Sequence, residues 1–310
     1  MKSALVNLRI LWEEKQPLPV ATAGAASAIF GQNLLVAGGT HWNGDSKRWL
    51  DRVNLYDFKS GQWRGGPKLP KAFAYGCFAG TQAGFEIIGG CDSTGGYRDS
   101  WVLKPGGSAW HRSKDAPRNF VFAAAEEWSR HLYVFGGCVS DRDPASARGE
   151  VWIRNTNRVW HQISFLPRRD ILLSAHACAC DKIYLFGGYS ISPRGDVLNH
   201  DDSFSFDCNT HKWTSLRKLP SAARGSSAVA LDNRWMVILG GYGTGFLRTV
   251  LFYDIARDRY EEGTPLPIGL LGTHFSLYKD VIYGAGGEDR RRGRTSKLLA
   301  GHLGGVVSIR

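Results

Sequence analysis

Short apolar runs broken by polar turns recur along the whole chain. Runs such as Leu132-Tyr133-Val134-Phe135 and Ile183-Tyr184-Leu185-Phe186 are too short for helices and too rich in aromatic and β-branched side chains. They predict strands, and the order in which they recur predicts more. From Phe73 to Gly90, and again from Asp170 to Gly188, two apolar runs joined by a polar turn end in a Gly-Gly doublet. A polar loop, a third strand and an aromatic-bearing fourth strand come next. Doublets end at Gly39, Gly90, Gly137, Gly188, Gly241 and Gly287. A second marker follows at a similar phase, with Trp63, Trp110, Trp160 and Trp213 and then Tyr260 in the fifth unit.

The doublets are 51, 47, 51, 53 and 46 residues apart, which resembles the kelch repeat of roughly fifty residues. Six doublets predict an all-β, six-bladed kelch β-propeller forming a single domain over residues 1–310. The glycines let the backbone turn sharply and let neighbouring blades approach closely, where a Cβ would obstruct. The tryptophan is expected to bury its ring between sheets. Only 23 residues follow the last doublet, without an aromatic marker, while Trp12 and Pro17-Leu18-Pro19 form an orphan fourth strand ahead of the first. The N-terminal strand is therefore expected to close the last blade beside the segment around Leu298, which removes the open sheet edges.

Composition adds a real core and little else, with 43% hydrophobic and 12% aromatic residues. No run of eighteen apolar residues occurs, so no transmembrane helix is expected. The stretch Ala4 to Trp12 carries Asn7 and Arg9 without a small-residue cleavage site, and it reads as a strand of the mature fold. A cytoplasmic location is expected, with the periplasm as the alternative. Net charge is +11, which suits an anionic partner. It forms no broad stripe beyond Arg290, Arg291, Arg292 and Arg294, so nucleic acid and membrane are not expected partners. Six cysteines at irregular spacings read as reduced and mostly buried. His176, Cys178 and Cys180 alternate, which on a strand would place all three on one face. Small side chains on an inner strand explain them better than a metal site does.

In an antiparallel meander running outward from the channel, the loops after the doublets share a face with the segments entering from the previous blade. Candidate binding residues collected there are Trp42, Arg48, Tyr75, Asp92, Asn119, Arg169, Tyr189, Arg224 and Tyr242. Arg168 and His274 enter on the same side, whereas Glu126 and Glu127 belong to the other face. Glu288, directly after the last doublet, lies beside a run of arginines able to hold it ionised or to bind a carboxylate. The bland alternative is a solvated basic loop.

Gly287-Glu288 and Arg294-Thr295, with Ala74-Tyr75-Gly76 and Gly96-Tyr97-Arg98-Asp99, resemble segments of the N-acetylneuraminate epimerase (sialic acid mutarotase) family, including its cyclically permuted members. The likeness extends over essentially the whole chain. Arg291 and Arg292 stand where those proteins carry Pro and Gly. The resemblance implies an isomerase that interconverts the anomers of an acidic sugar by acid–base ring opening, without cofactor or metal. Glu288 would move the proton and Arg294 would hold a carboxylate or stabilise charge on oxygen. The alternative is a non-catalytic propeller that binds protein or carbohydrate on the same face. A copper-radical oxidase would need a Tyr-Cys crosslink, for which no spacing speaks.

Overall fold

The computed structural model describes residues 9–304. It consists of six four-stranded antiparallel sheets in a ring. The innermost strands are Ala26–Phe30, Cys77–Thr81, Ala124–Trp128, Ala175–Ala179, Ser227–Ala230 and Phe275–Tyr278. Each packs against the next, and the sixth returns to the first. In the first blade the order outward is Ala26–Phe30, Asn33–Ala37, Val53–Asp57 and Gln62–Gly65, and blades two to five repeat it. Three two-stranded ribbons, among them Thr40–Asn43 with Ser46–Trp49 and Tyr189–Ile191 with Val197–Asn199, rise from loops that follow the doublets.

The sixth blade closes as its missing aromatic marker predicts. Arg9–Lys15 pairs with Leu298–Gly304, with Trp12 opposite Gly301 and Lys15 opposite Leu298. Residues 4–8 of the expected strand lie outside the described residues. Trp12 donates its indole N–H to the Thr264 carbonyl of the blade before it, at 3.1 Å. Trp63 and Trp110 do the same to Gln16 and Pro67, at 2.8 Å each. Trp12 is thus the sixth marker. Each ring fills the gap between two blades and ties itself to a carbonyl of the neighbouring blade's connection.

The doublets all have positive φ, as in Gly38 at +69° and Gly39 at +91°. A Cβ on Gly38 would fall 2.3 Å from the Phe73 carbonyl oxygen of the next blade, so glycine is needed both for the turn and for the close approach. Apolar side chains between sheets make the core, and one polar tie crosses it. Arg154 holds Glu86, which has no exposure, through two contacts of 2.6 Å, with Ser113 at 2.5 Å from the same carboxylate. That pair joins the second and third blades. No helix among the described residues is long and apolar enough to cross a membrane.

Candidate functional site

The residue one place after the inbound bridge position takes the left-handed conformation in every blade: Gly24, Tyr75, Phe122, Leu173, Gly225 and Gly272, with φ between +52° and +68°. A chain of backbone hydrogen bonds links them, from Tyr75 N to Gly24 O, Phe122 to Tyr75, Leu173 to Phe122, Gly225 to Leu173 and Gly272 to Gly225. This girdle forms the neck of the channel. Glycine adopts it without strain, whereas Tyr75, Phe122 and Leu173 each pay roughly 1–2 kcal/mol. One half of the neck is therefore walled by large side chains and the other half by bare backbone. A cavity of about 210 Å³ passes through it, from Lys47, Asp141 and Glu288 down to His176 and His274.

Above the neck, two ion pairs face the cavity. Lys47, on the first ribbon, meets Asp141 at 2.9 Å and lies over the rings of Trp49 and Tyr75. Burial pulls its ammonium down, but Tyr75 and Asp141 outweigh that and the net shift is upward. Glu288 meets Arg294 at 3.0 Å. Burial pushes the Glu288 carboxyl above its ordinary value, with Arg294, Lys47 and Arg224 opposing.

Arg294 is largely engaged within the protein. Its side chain is 5% exposed, with Nε and Nη2 on the Thr40 hydroxyl, Nη2 on Tyr75, and Nη1 on the Gly293 carbonyl and Glu288. Four hydrogen bonds and one ion pair thus hold the guanidinium within the protein. These contacts tie the last loop to the first two blades. Arg292, at the position where a glycine was expected, takes φ +56°, reaches Asp45 and lies over Trp42.

Of the other expected site residues, Arg224 binds Asn199 at 2.6 Å and lies over Tyr242 and Tyr189, so these three form one cluster beside Glu288. Tyr75 lines the cavity. Arg48 is exposed on the first ribbon, opposite His41. Asp92 is taken up by the backbone N–H and hydroxyl of Thr94, Asn119 by the Val139 carbonyl, and Arg169 stacks on Phe165. Cys180 does not share a strand face with His176 and Cys178. The strand ends at Ala179, and Cys180 occupies the following turn at φ +50°. All six thiols are free.

Two features went unread in the sequence. Val139, Val197 and Leu198 are exposed on the ribbon face, where a single apolar residue in a polar loop carries no periodic signal. The left-handed girdle shows in the sequence only where glycine occupies it.

The sequence model of the KLHDC2/KLHL20/DRC7 Kelch-repeats domain matches residues 112–287, more than half of the chain. Kelch-like protein 36 of Bos taurus is 26% identical over 282 residues, covering 84% of this chain and 43% of that protein. Human Kelch-like protein 25 is 26% identical over 272 residues, covering 84% and 44%, and the Kelch-like protein terF of Aspergillus terreus is 23% identical over 280 residues, covering 84% and 60%. The chain thus spans less than half the length of the first two of these relatives. These relatives correct the expected isomerase and its sugar partner: over 84% of its length the chain aligns with Kelch-like proteins, and none of these three is named as an isomerase. The Glu-to-Arg motif that suggested catalysis is short, and its two members form an ion pair at 3.0 Å. Repeat spacing, blade architecture and the domain match agree: the chain belongs to the Kelch-repeat family.

Proposed function

We propose that this chain is a non-catalytic interaction propeller whose ribbon face grips an acidic, partly apolar segment of a protein partner. The enclosure of Arg294, held by four hydrogen bonds and its ion pair with Glu288, supports this reading. With the inner ion pairs closed on themselves, the available cations are on the rim, where Arg48, Arg290 and Arg291 are exposed and in no ion pair among the described residues. Exposed Val139, Val197 and Leu198 add apolar area on the third and fourth blades, across the same face. Aromatic and arginine clusters such as Arg224 with Tyr189 and Tyr242 are typical anchors of protein interfaces.

Selection of random dodecapeptides on the immobilised chain tests this. Enriched sequences are expected to combine Asp or Glu with aliphatic residues, to bind more weakly as salt rises, and to be lost on R48E/R290E/R291E. Enrichment indifferent to both salt and charge reversal, or no enrichment, overturns it.

A further inference from the structure

We infer that the channel through the neck is a socket for one tyrosine side chain of the partner segment. This rests on the interaction reading above and names what that segment inserts. Phe78, Ala125, Ser174, His176, Ser226 and His274 border both the upper cavity and a second one of about 230 Å³ that continues toward the opposite mouth. They form the waist, and two imidazoles are its main polar groups. His176 is fixed by Nδ1 against Glu126 Oε1 at 2.9 Å, and its Nε2 has no hydrogen-bond partner among the described residues. His274 is partly buried at the waist and faces the cavity. It packs edge-on against Phe78 at 4.6 Å and makes no side-chain hydrogen bond with any described residue. Burial and the neighbouring His176 hold its pKa at about 3, so at neutral pH it offers one donor and one acceptor.

An upper cavity of about 210 Å³ is smaller than the roughly 300–1,000 Å³ of ordinary small-molecule sites and suits a single side chain. Apolar walls come from Phe122 and Leu173, held in the left-handed conformation, with Phe78 and Leu271, while Lys47, Asp141 and Glu288 line its upper end. The opposite side is open, since a Cβ on Gly272 would meet nothing within 4 Å. An aliphatic insert would leave the His274 imidazole unpaired. A carboxylate would leave the cations of the entrance to sit desolvated against a neutral ring, and an ammonium would have to pass Lys47, Arg224 and Arg294. A phenol meets all three conditions, with a flat apolar body, no charge, and a hydroxyl that donates to or accepts from His274.

N-acetyl-tyrosinamide, N-acetyl-phenylalaninamide and N-acetyl-lysinamide serve as probes. Each is titrated into the full chain while the histidine Cε1–Hε1 NMR signals are followed, with His274 assigned by its loss in His274→Phe. Tyrosinamide should move the His274 signal and bind roughly 2- to 12-fold tighter than phenylalaninamide, the worth of one net hydrogen bond. His274→Phe should erase that preference. Gly272→Leu should abolish binding by filling the socket, and Leu173 already occupies the equivalent position in the same conformation. If His274→Phe does not fold, Gly272→Leu decides. Equal affinity for tyrosinamide and phenylalaninamide in the parent, tighter binding of lysinamide, or binding untouched by Gly272→Leu overturns the socket. Peptides selected through the rim charges while tyrosinamide leaves His274 unmoved would end the socket and leave the ribbon-face reading intact. Tyrosinamide binding with no peptide selected would end the ribbon-face reading instead.

Discussion

Acid should weaken this propeller through one residue at its centre. His274 has an ordinary pKa of 6.5 in the unfolded chain and about 3 in the fold, because burial and His176 disfavour the imidazolium. A base whose folded pKa is depressed gives stability that is complete above 6.5 and lost as pH falls toward 3, since only the unfolded chain takes the proton. From pH 7.5 to pH 5 the unfolded state gains about 2 kcal/mol on this account, taking 1.36 kcal/mol per pKa unit. His274→Gln keeps a polar side chain of similar reach and removes the titration. Urea unfolding followed by tryptophan fluorescence at the two pH values measures the difference. The parent should lose about 2 kcal/mol more than the variant over that interval. His200, also held down by burial, is present in both chains and cancels. Equal pH dependence in parent and variant would refute the argument, as would a parent that gains relative stability at pH 5.

Arg154→Met should destabilise by about 3–5 kcal/mol, because it leaves Glu86 charged and enclosed, whereas the E86L/R154M double variant should recover most of the loss; chemical denaturation of the single and double variants checks it. Trp12→Ala removes a ring packed against Phe275 at 6.1 Å together with its bond to Thr264, and should cost about 3–5 kcal/mol even though it lies close to the chain end. Calorimetric melting of that variant checks whether blade closure supports the whole ring, and an unchanged melting temperature would show that it does not.

Blade number, strand order and closure were legible from the sequence because they depend on local, repeating chemistry. A Gly-Gly doublet must stand where a Cβ would strike the next blade, as Gly38 does against Phe73. An aromatic must stand where two sheets leave a gap, so the lone Trp12 announced the closing strand. Relations between blades were another matter. Glu288 and Arg294 were correctly seen as neighbours, but only the tertiary structure shows that Thr40 and Tyr75, from two other blades, also bind Arg294. Those contacts tie the last loop to the first two blades. His274 was visible as one inbound residue among several, and nothing local marks it as the unpaired group at the waist. Its surroundings, Phe78, His176 and Glu126, are set by ring closure across some 200 residues of chain. The girdle behaves the same way. Tyr75, Phe122 and Leu173 carry no propensity for the left-handed region, and they adopt it because the blade-to-blade hydrogen bonds around the neck require it. Periodicity specifies what each blade must be, and only closure of the ring decides which side chains meet in its channel.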